Sequence, residues 1–165
     1  MKCLVFSDSH GSSLLMEKAL DMHRDAEVVF FLGDGLYEAE SLAVKYPLVS
    51  FICVKGNCDA YTDFLGSAVK KTEAINLIGY NIVLTHGDLY GAKSGREGLV
   101  SLANAREADV LLFGHTHIPE LSYLTELKKP LYLFNPGSIS LREGSFGIMT
   151  LGKTPLFSHG KLNRY

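Results

Sequence analysis

Asp8, His10, Asp34, Asn57, His86, His115 and His117 offer carboxylate oxygen, amide oxygen and imidazole nitrogen. Such a mixed donor set suits Mn, Ni, Co, Fe or Zn rather than Ca or Mg alone. These ligands are too many for one tetrahedral ion. They suit two ions that share one carboxylate, since paired ions sit roughly 3.5–4 Å apart and need a bridge. Asp8 and His10 are two residues apart, as are His115 and His117. In extended backbone such neighbours point the same way, so each pair is expected to converge on one centre. Glycines at 11, 33, 56, 87 and 114 permit sharp turns beside them. Two divalent ions of roughly +4, two aspartates and a bridging hydroxide leave a net charge of about +1. That centre attracts a phosphoryl oxygen. A hydroxide held between two metals is a nucleophile at neutral pH, because bound water is acidified toward a pKa of ~7. The chemistry expected is in-line hydrolysis of a phosphate ester.

Five apolar runs must carry these groups. Residues 2–7 release Asp8-Ser9-His10, and 28–32 release Gly33-Asp34. Residues 49–54 release Lys55-Gly56-Asn57-Cys58-Asp59, 81–85 release His86-Gly87-Asp88, and 110–113 release Gly114-His115-Thr116-His117. Each run reads as a buried strand, which points to one site at the carboxyl ends of a sheet. A helix capped near Ser12 or Ser13 and running to about Arg24 has Leu14, Leu15, Ala19 and Met22 as its expected core stripe. A second runs from 36 to 45 with Leu36, Ala39, Leu42 and Ala43 inward, and Pro47 stops it. Strand–helix–strand alternation is the pattern of a parallel βαβ unit. Residues 76–85 read as a hairpin around Gly79-Tyr80. Residues 94–106 read as helix, with Leu99, Val100, Leu102 and Ala103 inward. Residues 120–126, 130–134 and 146–151 read as strands of a second sheet, with turns at Lys128-Lys129 and Glu143-Gly144. The expectation is two sheets face to face with helices outside. Residues 61–72 fit either a helix or a loop leaning over the site.

The chain has 165 residues, of which 47% are hydrophobic and 21% charged, enough for a substantial core in one domain. A formal charge of −2 weighs against dedicated binding of duplex nucleic acid, which wants a basic face. No apolar stretch approaches the ~20 residues of a membrane span, and the lead into Asp8 is too short for a signal peptide. Three irregularly spaced cysteines argue against a disulfide framework. The expected location is the cytoplasm.

Taken in order, Asp8-x-His10, Gly33-Asp34, Gly56-Asn57-x-Asp59, His86-Gly87 and Gly114-His115-x-His117 resemble the motifs of the calcineurin-like metallophosphoesterases. Chain length, Asn57-Cys58-Asp59 and Asn135-Pro136-Gly137-Ser138 are similar to its small prokaryotic phosphodiesterase subfamily. The resemblance spans roughly residues 1–142. It implies a four-layer αββα sandwich of two mixed sheets, formed as one domain over 1–165, with a dinuclear site. One ion would take Asp8, His10, Asp34 and His117; the other would take Asp34, Asn57, His86 and His115, with Asp34 bridging. Manganese heads the expected ions. Many members have a histidine after the asparagine, thought to protonate the leaving group, where this chain has Cys58. A thiol can donate a proton or simply fill space. Diesters with good leaving groups need little acid help, so a small phosphodiester is the expected substrate, with Asn57, Cys58 and Arg142 as candidate contacts and Asp34, Asn57, Cys58 and His86 as catalytic groups.

Other residues have plainer readings beside the functional ones. His23 at a helix end and His159 in a tail turn read as structural. Asp59 reads as a hydrogen-bond acceptor fixing the Asn57 loop, and Asp88 as a turn cap. Asn135–Ser138 reads first as a strand-end turn and second as a brace for the metal loops. Arg142 meets either phosphate or solvent. Lys70-Lys71 and Lys128-Lys129 read as solvated faces. Tyr61, Phe64 and Tyr90 either stack on a nucleobase or pack in the core. Two further functions compete with a diesterase. A nuclease on single-stranded ends would show salt-sensitive oligonucleotide binding. A protein-binding scaffold, as in a retromer subunit of similar fold, need not preserve the ligands, yet all are present. Oligomeric state is open, with a homodimer through a strand edge or helix face among the options.

Overall fold

The computed structural model describes residues 1–60, 63–140 and 143–163. It is a four-layer αββα sandwich. The first sheet contains β1 (Lys2–Phe6), β2 (Val28–Phe31) and β3 (Ser50–Cys53), linked by helices α1 (Leu14–Met22) and α2 (Leu36–Lys45). The pairs β1–β2 and β2–β3 are parallel. A short hairpin of β4 (Asp63–Phe64) and β5 (Ser67–Ala68) leads to β6 (Thr72–Leu77) and β7 (Tyr80–Thr85), which pair antiparallel. Helix α3 (Glu97–Ala105) precedes β8 (Val110–Leu112), and β9 (Pro119–Leu124), β10 (Leu131–Pro136), β11 (Glu143–Thr150) and β12 (Leu156–Asn163) complete the described elements. The sheets are ordered β12-β11-β1-β2-β3 and β6-β7-β8-β10-β9. In the second sheet β7, β8 and β10 are parallel. The first sheet therefore has three parallel strands ending at the β3 edge, with the antiparallel pairings of β11 and β12 on the other side, and the second has a parallel centre flanked by antiparallel β6 and β9.

The continuous apolar runs follow from burial on both faces. In β1, Leu4 and Phe6 face the helices with Phe31, Leu15 and Leu36, while Cys3 and Val5 face the other sheet. Ile82, Leu84, Val110 and Leu112 meet them in the sandwich interior. Val83, Leu111 and Leu133 face outward under Leu99, Leu102 and Ala103 of α3. Each fully buried Leu, Phe or Val contributes about 1.5–3 kcal/mol.

Four expectations need correction. Helix α1 buries Leu15, Met16, Ala19 and Leu20, while Leu14 and Met22 are 45% and 64% exposed. The helix is apolar over a wide arc, and spacing alone does not choose between its two sides. Strand β11 joins the first sheet antiparallel to β1, not the second, and Glu143-Gly144 lies within it rather than in a turn. Strand β12, and His159 with it, is an edge strand and not a tail turn. Paired on one side only, it has too little apolar alternation to read as a strand. Of the segment 61–72, the described residues 63–72 hold no helix: they form the β4–β5 hairpin and a short link into β6, and the Phe64 ring stacks on Phe51 with centroids 6.5 Å apart. Phe64 is therefore core. Tyr90 also packs in the core, its hydroxyl 3.2 Å from Thr72 Oγ1. Tyr61 lies outside the described residues.

Candidate metal centre

All seven candidate ligands lie beyond the carboxyl ends of parallel strands: β1, β2 and β3 in one sheet, β7 and β8 in the other. The chain leaves β1, β2, β7 and β8 through left-handed backbone, whereas residues 54–60 after β3 have none. Five of the seven have positive φ: Asp8 (57°), His10 (44°), Asp34 (59°), His115 (67°) and His117 (62°). The extended geometry expected for the Asp8/His10 and His115/His117 pairs is therefore absent. Left-handed backbone costs a non-glycine residue roughly 1–2 kcal/mol, and such strain collects where surrounding structure over-determines it.

The turns bring one group of atoms together. His117 Nε2 lies 3.0 Å from Asp8 Oδ1 and 3.4 Å from His10 Nε2. A second group adjoins it: His86 Nε2 is 3.4 Å from Asp34 Oδ2 and 3.2 Å from His115 Nδ1. Asp8 Oδ1 is 4.0 Å from His86 Nε2, so the groups touch. Donors around one ion at ~2.1 Å lie roughly 3.0–3.4 Å apart. Asp8 is fully buried, and despite the near approach of His117 its Oδ1 has no hydrogen-bond partner among the described residues. A buried carboxylate oxygen so left would cost several kcal/mol without a cation. The donor set therefore fits a divalent metal. Asn57 stands exposed at the rim with Nδ2 3.2 Å from Cys58 Sγ. Arg142 lies outside the described residues.

A supporting ring orients these groups. His86 Nδ1–H donates to Leu32 O at 2.8 Å, leaving Nε2 for the centre. Asp34 Oδ1 accepts the Cys58 N–H at 2.8 Å. Asp59 accepts four backbone N–H groups, from Asp34, Gly35, Leu36 and Gly56, at 2.7–2.9 Å. It thus caps α2 and fixes the Asn57 loop, as its plainer reading expected. Asn135 Nδ2 donates to Gly114 O, and Ser138 Oγ to Asp8 O, both at 2.9 Å. The 135–138 segment therefore ties the His115 loop to the Asp8 loop, more than a simple turn. His159 Nε2 lies 2.7 Å from Asn135 O. That brace is missed in the sequence because β12 is missed. Lys71 is not a solvated face: its Nζ reaches Gly56 O at 3.3 Å and Asp88 Oδ2 at 3.1 Å.

Charge follows the same geometry. Burial pushes the Asp34 carboxyl up, but His86 and the Cys58 N–H outweigh it and hold it well below the usual range. Burial would lower His86, yet Asp34 and Asp8 raise it. Burial lowers His115, aided by His86 and Lys93. The Cys58 thiol is pushed up, first by its hydrogen bond to Asp34 and then by burial, so it keeps its proton.

The family model of the calcineurin-like phosphoesterase superfamily domain matches residues 1–154. The chain is 35% identical over 157 residues to the probable metallophosphoesterase YsnB of Bacillus subtilis, covering 92% of this chain and 85% of that one. It is 30% identical over 171 residues to the phosphodiesterase YfcE of Escherichia coli, covering 90% and 87%. A solved Streptococcus pneumoniae protein, described as a predicted phosphoesterase, superposes with TM-score 0.77 at 28% identity, over 99% of this chain and 89% of that one. Vps29 of Entamoeba histolytica, solved with zinc, shares the fold with TM-score 0.73 at 22% identity, over 98% and 99%.

Proposed function

Because the chain belongs to the calcineurin-like phosphoesterase superfamily, we propose that it is a metal-dependent phosphodiesterase acting on small diesters at a dinuclear centre. The observation that carries this is the fully buried Asp8 Oδ1, without a hydrogen-bond partner among the described residues yet surrounded by converging imidazole nitrogens. Asp8, His10, His117 and Asp34 would hold one ion. Asp34, Asn57, His86 and His115 would hold the other. Bound there, divalent ions, manganese foremost, supply Lewis acidity and a water-derived nucleophile at neutral pH.

The chain's own residues do the rest. His86 is aimed by Leu32 O, and Asp34 is set by Asp59 and Cys58 through backbone N–H groups. Asn57 and Cys58 stand at the rim, where a phosphoryl group and its leaving oxygen arrive. An ordinary thiol, with a reference pKa of ~8.5, has one proton to give at neutral pH. A thiol is a weak acid, so esters with good leaving groups are favoured, and diesters over monoesters. Net charge of −2 supports a small substrate over duplex nucleic acid. Three free thiols support work in the cytoplasm, and residues 1–165 act as one domain.

The test is a metal-by-substrate screen. Protein stripped by chelator is reloaded with Mn, Ni, Co, Zn or Mg and offered diesters, cyclic nucleotides and monoesters, with bound metal counted by elemental analysis. Two ions per chain and faster turnover of diesters are expected. An absence of bound metal and of turnover overturns the proposal; a stable protein partner found alongside that failure favours a scaffold.

A further inference from the structure

A cleft of about 300 Å³ opens beside the Asp34 side of the centre, lined by His10, Asp34, Tyr37, Glu38, Cys58 and Ala60 among others. That is the small end of ligand sites, sized for a short alcohol rather than an oligonucleotide. The charges on its wall are not equivalent. Asp34 and His10 belong to the centre. The Asp59 carboxylate is taken up by four backbone N–H groups. Glu38 remains. Its Oε2 accepts a hydrogen bond from the buried Ser9 hydroxyl at 3.3 Å. A Cβ on Gly35 would lie 1.8 Å from that hydroxyl oxygen and 2.7 Å from Glu38 Oε2, so glycine is what lets the carboxylate seat there. Among the described residues Glu38 makes no ion pair. Tyr37 is on the same wall, and an aromatic ring beside a carboxylate is a setting that attracts cations.

We propose that this cleft receives one ester arm of the diester and that Glu38 makes it a cation-preferring subsite. The substrate class is a phosphodiester of an amino or ammonium alcohol, and an arm bearing a further phosphate is disfavoured. This rests on the phosphodiesterase reading of the adjoining centre. The negative charge of Glu38 stands beside the arm, attracting a cation and repelling an anion, whereas the metal centre treats the shared phosphoryl group alike in every diester.

The experiment holds the leaving group constant. The manganese-loaded protein is given p-nitrophenyl phosphorylcholine, thymidine 5′-(p-nitrophenyl phosphate) and its 3′-phosphorylated derivative. The expected order of kcat/KM is cationic, neutral, then anionic arm. Glu38→Gln lowers the ratio of the first to the third by about tenfold, and Glu38→Lys inverts the order. Added salt shrinks the ratio in the unmodified protein and not in Glu38→Gln. A ratio that Glu38→Gln leaves within twofold overturns the subsite. Release of p-nitrophenol from none of the three sinks the phosphodiesterase reading instead. Calorimetric binding of phosphorylcholine to the manganese-loaded protein then decides the cleft: tighter binding by the unmodified protein supports it, and equal affinity in Glu38→Gln overturns it.

Discussion

Asp59 Oδ2 accepts the backbone N–H of Asp34 at 2.8 Å. One carboxylate that belongs to the loop after β3 thereby holds another that belongs to the loop after β2. The same side chain also takes N–H groups from Gly35, Leu36 and Gly56. An asparagine has one acceptor oxygen, and its amide hydrogens would face those donors. Asp59→Asn should lower stability by about 2–4 kcal/mol, since buried donors are left unpaired. It should also weaken metal binding at least about tenfold, the usual cost of losing a group that orients ligands. Urea unfolding of the metal-free protein and calorimetric titration with manganese check the two effects separately.

Gly56 gives a steric test of the same contact. A Cβ there would lie 2.0 Å from Asp34 Oδ1. Gly56→Ala should cost about 1–3 kcal/mol, as overpacking does, and push the Asp34 carboxylate off position. The fold should survive, as judged by circular dichroism. The rise in melting temperature on adding manganese should be lost.

His10 tests the strain. Its φ of 44° is left-handed, and its side chain is 36% exposed, so little packing is lost on removal. Glycine relieves that backbone cost at a smaller entropic one. His10→Gly should make the metal-free protein more stable by about 0.5–1 kcal/mol while reducing metal affinity. Unfolding measured with and without manganese should show the two curves moving in opposite directions. A metal-free His10→Gly less stable than its parent would contradict this.

Cys58 tests the leaving-group argument. Cys58→Ala should leave hydrolysis of p-nitrophenyl diesters within about threefold, because that leaving group needs little protonation. Cys58→His should raise monoester turnover by about tenfold or more, general acids being worth ~10²-fold and upward. Rates on a diester and a monoester with the same leaving group decide it.

Much of this arrangement is legible in the chain because buried parallel strands leave continuous apolar runs, and the polar groups that follow them stand out. Leu4, Val5 and Phe6 before Asp8, and Val110, Leu111 and Leu112 before Gly114, are such cases. Helix α2 matches in extent and face because Leu36, Ala39, Leu42 and Ala43 form one stripe, even though Tyr37 and Val44 stand exposed on the other side. Helix α1 does not, since Leu14 and Met22 satisfy a periodicity nearly as well as Met16 and Leu20. The placement of β11 is decided by a long-range pairing, Lys2 with Thr150, which local pattern does not encode. The left-handed conformation of Asp8 or His117 is equally hidden: Asp and His adopt it more often than most side chains, but still in only a few per cent of cases, so residue type alone does not announce it. The bracing by Ser138 and His159 depends on which loops lie side by side, and so appears only in three dimensions.

The candidate ligands divide between the two halves of the sandwich: Asp8, His10, Asp34 and Asn57 follow strands of one sheet, and His86, His115 and His117 follow strands of the other. Cations seated among them would rivet the sheets together at that end. The far end is fastened by weaker ties, such as the Tyr80 hydroxyl on Gly152 O and Lys153 O. Loading and stripping metal would thus change how freely one sheet slides over the other, giving the molecule one stiff end and one yielding end.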